Sequence, residues 1–225
     1  MAIRHVVWDW NGTLHDDFPL ILDAANVAMA AAGGDPIDEE TYRVRFTRPI
    51  RAFYGELLGR EVDDETWALL DRVFHDRYHE ILDDEGGLTG DAPEALDDVD
   101  AVGQSQSILS MWHHDRLVPY VTGLGIADRF VRIDGLRGVG GGSKAPHLLA
   151  HLEALREAGI DVAADEVVMV GDTVDDAEAA EAAGVHIVLY TGGEHGPEAL
   201  ERTGRPVAHS LRDAVAVGRE LSKGP

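Results

Sequence analysis

Cysteine is absent from this chain, which excludes disulfides and thiolate metal sites. Lysine is nearly absent too: Lys144 and Lys223 stand against seventeen arginines, and Lys223 lies in the terminal Ser-Lys-Gly-Pro tail. No apolar run approaches the ~20 residues that a membrane helix needs. The chain opens without the basic and apolar stretches of a secretory leader, so a cytoplasmic protein is expected. Positive charge is scarce overall: 19 Lys and Arg against 42 Asp and Glu leave a formal net charge of −23. Such a field disfavours nucleic acid and anionic membranes as partners. It also repels anionic substrates, so a phosphate site here must carry its own local cation. Lys144, the one internal lysine, therefore needs a reason for its position.

What is present suffices for a sizeable core. With 225 residues and 44% hydrophobic content, the chain can build one domain and a smaller insert. Residues 4–9 read as a buried strand. Helical spacing runs from about 18 to 33 through Phe18, Leu20, Ile21, Ala24, Ala25 and Ala28, and Gly33-Gly34 ends it. Asp38-Glu39-Glu40 suits a helix first turn, where carboxylates oppose the macrodipole. Segments near 49–58 and 64–83 also read as helices, so 15–88 is predicted to be all-helical. Pro93–Leu96 suits a short helix and Ser107–Met111 a strand. Phe130–Ile133 reads as a weaker strand, Gly135–Gly142 as a glycine-rich loop and Pro146–Ala158 as a helix. Val167–Val170 is predicted as a strand, Asp175–Ala183 as a helix closed by Gly184, and His186–Tyr190 as a strand. Helices near 197–203 and 210–221 complete the chain. The alternation predicts an α/β fold with a parallel, Rossmann-like three-layer core and right-handed crossovers. The predicted division is a core of 1–14 and 89–225 and a helical cap of 15–88.

Two apolar runs end in aspartates: His5-Val6-Val7-Trp8-Asp9-Trp10-Asn11-Gly12-Thr13-Leu14, and Glu166-Val167-Val168-Met169-Val170-Gly171-Asp172-Thr173-Val174-Asp175-Asp176. Unpaired charge at the edge of a core is costly, and a hard divalent cation such as Mg2+ accounts for it. Neighbouring parallel strands would gather Asp9, Asp172 and Asp176 at one carboxyl edge, where open α/β sheets hold ligands. Asp9 could attack phosphorus or merely cap a turn. Asp172 and Asp176, four apart, could share a helix face and a cation; the alternative is N-capping by Asp172 or Thr173, with acidic residues favoured by the dipole. Asp175 is expected to be solvated. Ser110 could donate to a phosphate oxygen or be an ordinary strand-end serine. Lys144 could neutralise phosphate or be a surface cation. Gly138–Lys144 does not read as a Walker loop, because Ser143 stands where glycine belongs and no strand is expected directly before it. The eleven histidines are scattered; His15, His113 and His114 could approach the site, but surface or packing roles are expected.

Asp9-Trp10-Asn11-Gly12-Thr13-Leu14, Ser110, Lys144 and Gly171–Asp176, in this order, resemble the four motifs of the haloacid dehalogenase-like hydrolase superfamily, in its phosphoglycolate-phosphatase-type branch. The resemblance implies a Mg2+-dependent phosphatase acting on a small phosphorylated metabolite. Asp9 would be nucleophile and metal ligand, and Asn11 would offer its backbone carbonyl to the metal. Thr13 and Ser110 would bind the phosphoryl group, Lys144 would hold it against Asp9, and Asp172 and Asp176 would ligate Mg2+. Arg48 and Arg51 could meet a substrate carboxylate or second phosphate.

One departure stands out. The family's phosphatases carry an aspartate two residues after the nucleophile as general acid and base, and this chain has Asn11. Such help is worth roughly 10²–10⁴-fold, about 3–5 kcal/mol of barrier, so alkoxide leaving groups should suffer more than acyl or aryl ones. Asn11→Asp is expected to raise alkyl phosphate hydrolysis. The competing expectations are a phosphate- and Mg2+-binding regulatory protein of little turnover and a phosphomutase. A phosphonate-cleaving enzyme would need a cap lysine that 15–88 lacks, and a dehalogenase would not need the carboxylate pair.

Overall fold

Three strands of the parallel sheet are apolar runs, through Val6–Trp8, Val167–Val170 and Ile187–Leu189, as strands covered on both faces are. The computed structural model describes residues 2–47, 49–138 and 142–221. Among these, six strands form one sheet: β1 (His5–Trp8), β2 (Ser105–His113), β3 (Arg132–Leu136), β4 (Val167–Gly171), β5 (His186–Tyr190) and β6 (Val207–Ala208). Their order is β3-β2-β1-β4-β5-β6, and every pairing is parallel. Strand β1 is central, with Val7 opposite Ser107 on one side and Met169 on the other.

Alternation along the strands sorts the core into two layers. Val6, Trp8, Ile108, Val168, Val170 and Val188 pack with α5 (Ala92–Asp100), α6 (His114–Gly123) and α10 (Leu211–Leu221). Val7, Leu109, Met169, Ile187 and Leu189 pack with α7 (Ala145–Glu157) and α8 (Val174–Ala183) on the opposite face. Each fully buried aliphatic side chain contributes about 1.5–3 kcal/mol.

The stretch between β1 and α5 forms α1 (Phe18–Ala31), α2 (Glu39–Arg45), α3 (Ile50–Leu58) and α4 (Asp64–Glu85). Asp38 caps α2 by accepting from Thr41 N–H at 2.8 Å, and Asp63 caps α4 by accepting from Thr66 N–H at 2.8 Å. Gly59 ends α3 at φ 62°, in the left-handed region where a side chain would be strained. These helices have apolar clusters of their own: one holds Phe18, Tyr42, Phe46 and Phe53, the other Ala28, Met29, Tyr54 and Leu70. The entering and leaving segments pair with each other, through Asp16 N–H to Gly87 carbonyl at 3.0 Å and a bridge between His15 and Leu88.

Several elements differ from the sequence expectation. Helix α5 runs on to Asp100, because Ala95, Leu96 and Val99 continue its buried face. Helix α6 was not foreseen; Pro119 lies inside it and speaks against a helix, but Leu117 and Val121 are buried by it. Strand β3 starts at Arg132, since Phe130 ends a short 3-10 turn. Two-residue β6 is too short to give a periodic signal. The glycine-rich segment at 139–141 lies outside the described residues, as does Arg48. No described helix is long and apolar enough to cross a membrane.

Candidate active site

Because β1 and β4 are parallel neighbours, the residues after them emerge at one edge. Asp9 follows β1, with its N–H donating to Val170 carbonyl at 2.8 Å, and Asp172 follows β4. Asp176 sits in the first turn of α8. One carboxylate oxygen from each of the three lies within 4.8 Å of the others, and all three residues are buried. Lys144, 3% exposed, precedes α7 and sends its ammonium into this group, 2.7 Å from Asp9 Oδ1 and in contact with Asp176 Oδ1. Three buried carboxylates thus cluster at this edge, and the Lys144 ammonium among them pairs with two, Asp9 and Asp176.

Each acid feels this differently. Burial pushes Asp9 up to about 6, against the pull of Lys144, and Asp176 pushes the same way as burial. Burial also raises Asp172 well above the carboxylate range, reinforced by Asp9, Asp176 and Glu194. Asp176 runs the other way: burial would raise it, but Lys144 and Thr173 outweigh this and hold it below the ordinary value. Burial would lower Lys144, yet Asp176 and Asp9 keep it above its usual value.

Thr173, not Asp172, is the N-cap of α8. Asp176 N–H donates to Thr173 Oγ1 at 3.3 Å, and Thr173 N–H returns a bond to Asp176 Oδ2 at 2.9 Å, a reciprocal box. The helix starts at Val174, so Asp172 and Asp176 do not share a helix face; the chain turn between them brings them together. Asp172 accepts from Thr13 Oγ1 at 3.0 Å and from Glu194 N–H at 2.7 Å. Close backbone approach permits this: a Cβ on Gly12 would lie 2.5 Å from Asp172 Oδ2, and one on Gly193 would overlap it outright. Asp175, expected in solvent, is half-buried and accepts from the Lys144 N–H at 3.1 Å, fixing the start of α7.

Ser110 donates to Asn11 Oδ1 at 3.3 Å and accepts from Trp112 N–H at 2.9 Å. The other end of the Asn11 amide donates to Asp17 Oδ2 at 2.6 Å and to Tyr78 hydroxyl at 3.2 Å. Sequence reasoning passed over Asp17, which stands before Phe18-Pro19 like an ordinary N-cap. It makes no cap hydrogen bond with its side chain; it turns back and accepts from Gly12 N–H at 2.8 Å and Tyr78 hydroxyl at 2.7 Å. Burial would raise it, but His15, Asn11 and Tyr78 together hold it below the ordinary value.

Of the remaining candidates, His15 comes close to this group, with Nδ1 3.6 Å from Asp17 Oδ2. Arg51 donates to Val62 carbonyl at 2.7 Å and Asp64 at 2.8 Å, tying α3 to the start of α4 rather than joining the acidic cluster. His15 is buried and stacks on Trp10 at 5.4 Å. His114 accepts from Gly135 N–H at 3.2 Å, and His113 is exposed. A strand does precede the glycine-rich segment, since β3 ends at Leu136, while Ser143 still stands where a Walker loop needs glycine. Arg43 of α2, which sequence reasoning did not single out, donates to Thr191 and Gly192 carbonyls, both at 3.2 Å. Those carbonyls open the loop that carries Gly193 and Glu194 onto Asp172.

The family described as haloacid dehalogenase-like hydrolase matches residues 3–184. A phosphoglycolate phosphatase of Chromobacterium violaceum is 30% identical over 193 residues, 81% of this chain and 82% of that protein. Another, from Photobacterium profundum, is 29% identical over 228 residues, covering 95% and 91%. Among solved structures, a haloacid dehalogenase-like family protein of Streptococcus pneumoniae superposes with a TM-score of 0.78 at 19% identity, covering 96% of this chain and 98% of that one. A hydrolase of Pseudomonas syringae gives 0.72 at 20% identity, covering 96% and 97%.

Proposed function

Because this chain belongs to the haloacid dehalogenase-like hydrolases, in the branch of phosphoglycolate-phosphatase type, we propose that it is a Mg2+-dependent phosphatase of a small phosphorylated metabolite, working through an aspartyl-phosphate on Asp9. The observation that carries this reading is the buried cluster of Asp9, Asp172 and Asp176 around a single ammonium. Its charges do not balance, and Asp172, which has no cation beside it among the described residues, takes the strain as a raised pKa. An all-oxygen set with surplus negative charge fits a hard divalent ion. Asp9, Asp172, Asp176 and the Asn11 backbone carbonyl would hold it. When bound, the ion would screen the carboxylates and polarise phosphoryl oxygens.

The chain's own groups do the rest. Asp9 attacks phosphorus and expels the leaving oxygen; water later releases phosphate from the acyl phosphate and regenerates the carboxylate. Lys144 orients Asp9 and offsets the incoming charge. Thr13 and Ser110 receive phosphoryl oxygens in place of their present partners. Residues 1–14 and 89–225 would act as the catalytic core and 15–88 as the cap that supplies selectivity, with Arg48 and Arg51 its first sequence-derived candidates for a second anionic group. A cytoplasmic setting and a small phosphorylated metabolite as partner belong to this reading, with Lys144 as the local cation that an acidic chain needs to hold a phosphate.

The test is hydrolysis of p-nitrophenyl phosphate with and without Mg2+, by the natural protein and by Asp9→Asn. Turnover should need both the ion and Asp9. The second reading, a Mg2+- and phosphate-binding regulatory protein, draws on Asn11 standing where an acid is expected. Metal binding with no Asp9-dependent turnover would select it.

A further inference from the structure

We propose that Asp17 fixes Asn11 as a proton-inert amide, so that this site serves phosphate compounds whose leaving oxygen departs without a proton, the acyl and aryl phosphates. This rests on the phosphatase reading and deepens it. Asp17 is fully buried, and three donors converge on its carboxylate: Gly12 N–H, the Asn11 amide at 2.6 Å and the Tyr78 hydroxyl. An acceptor so surrounded demands a donor at position 11. An ionised aspartate there would set two carboxylates within hydrogen-bond distance out of water, an arrangement that one of them must relieve by holding a proton. The Asn11 amide is also oriented: its oxygen accepts from Ser110 while its nitrogen faces Asp17 and Tyr78. Asn11 and Asp17 are thus a matched donor and acceptor, with the carboxylate placed in the connection to the helical insert rather than beside Asp9.

The chemical consequence follows from the balance of the first step. Asp9 forms a bond to phosphorus as the bond from phosphorus to the leaving oxygen breaks, and that oxygen carries off the electron pair. With no acid at position 11 it leaves as an anion and takes its proton from water afterwards. Acyl and aryl oxygens tolerate this, and alkoxides do not. The reading departs from what the names of the relatives suggest, since glycolate would leave as an alkoxide.

The experiment compares the natural protein with Asn11→Asp, Asp17→Asn and the double variant. Each is assayed with Mg2+ on acetyl phosphate and p-nitrophenyl phosphate, against glycerol 3-phosphate and 2-phosphoglycolate. The natural protein should favour the first pair. Asn11→Asp alone should raise kcat/KM on the alkyl esters by less than ~3-fold, and the double variant by ~10-fold or more, within the range of general acid help. A full gain from Asn11→Asp alone, or none from the double variant, overturns the proposal, as does a natural protein equally fast on 2-phosphoglycolate and acetyl phosphate. Thermal unfolding supplies a readout independent of turnover. Each single variant should lower Tm and the double should recover most of the loss, because exchanging Asn and Asp restores one donor and one acceptor. If no substrate is turned over in an Asp9-dependent way, the phosphatase reading fails, and the Tm cycle still decides the pairing: additive losses refute it.

Discussion

The ammonium of Lys144 stands 2.7 Å from Asp9 Oδ1 and bonds Asp176 as well, so one side chain bridges the two polypeptide segments that form the acidic cluster. Removing it leaves Asp9 and Asp176 uncompensated beside Asp172, which has no such partner among the described residues. Breaking a buried ion pair costs about 3–5 kcal/mol. Lys144→Met should therefore lower Tm sharply in EDTA, and added Mg2+ should restore part of the loss by mass action. Hydrolysis should fall by roughly 10²-fold or more even where the ion is saturating, since preorganised charge at the reacting group is gone. A Tm unmoved by the substitution would mean that the ammonium does not balance the cluster.

Asp172 leads to the opposite stability effect. Burial and the neighbouring carboxylates raise it, so its ionised form destabilises the metal-free protein. Asp172→Asn keeps an acceptor for Glu194 N–H and can donate to Thr13 Oγ1, the reverse of the present bond. The variant should be as stable as the natural protein in EDTA, or more so, and should lose the Tm rise that Mg2+ produces. Calorimetric Mg2+ titration provides the second check.

The three aspartates of the cluster also show how far the sequence could be read. Apolar runs ending in acids located Asp9, Asp172 and Asp176, because a parallel strand buried on both faces leaves few other places for charge. Lys144 was legible through the scarcity of lysine and through its place in the ordered set of motifs. Asp17 was not legible, because an acid before a helix normally caps it, and only the folded chain shows its carboxylate turned back onto Asn11 and Gly12. Arg43 was hidden for a similar reason: its partners are backbone carbonyls 148 and 149 residues away, and a carbonyl has no signature in sequence. Helix α6 escaped notice because its local composition, with Pro119, opposes what tertiary burial of Leu117 and Val121 imposes.

Arg43 joins the helical insert to the loop that supports Asp172. It also lies 4.1 Å from the Phe18 ring centre, which holds the guanidinium over α1. Arg43→Met keeps much of the packing and deletes both carbonyl bonds. The loop bearing Gly193 and Glu194 should then hold Asp172 less firmly, with a 10- to 100-fold weaker Mg2+ response, the usual size of an effect on the groups supporting a ligand. Gly193→Ala should act in the same direction and more strongly, because its Cβ would overlap the Asp172 carboxylate. The concentration of Mg2+ giving half-maximal activity measures both.

The last prediction concerns pH and a polar chain far from the reaction. His5 Nδ1 meets Ser105 Oγ at 2.7 Å, and His5 Nε2 meets Ser107 Oγ at 2.7 Å; Ser107 Oγ meets His151 Nε2 at 2.8 Å, and His151 Nδ1 meets Asp134 Oδ2 at 2.7 Å. Burial would raise Asp134, but His151 and Arg132 hold it at about 2, so it stays an acceptor. The directions then follow along the chain: His151 donates to Asp134, Ser107 to His151, His5 to Ser107, and Ser105 to His5. Burial first, and the His151 ring second, lower His5 to about 3 from an ordinary value of 6.5. The folded protein therefore refuses a proton that the unfolded chain accepts. The stability at stake is complete above pH 6.5 and is lost as pH falls from there towards 3, by up to about 1.4 kcal/mol per unit. His5→Gln can still bridge the two serines but has no proton to refuse. Between pH 7 and pH 5 the natural protein should lose about 2 kcal/mol more unfolding free energy than the variant, measured by urea denaturation at each pH. Parallel losses in the two proteins would show that His5 takes up its proton equally well folded and unfolded.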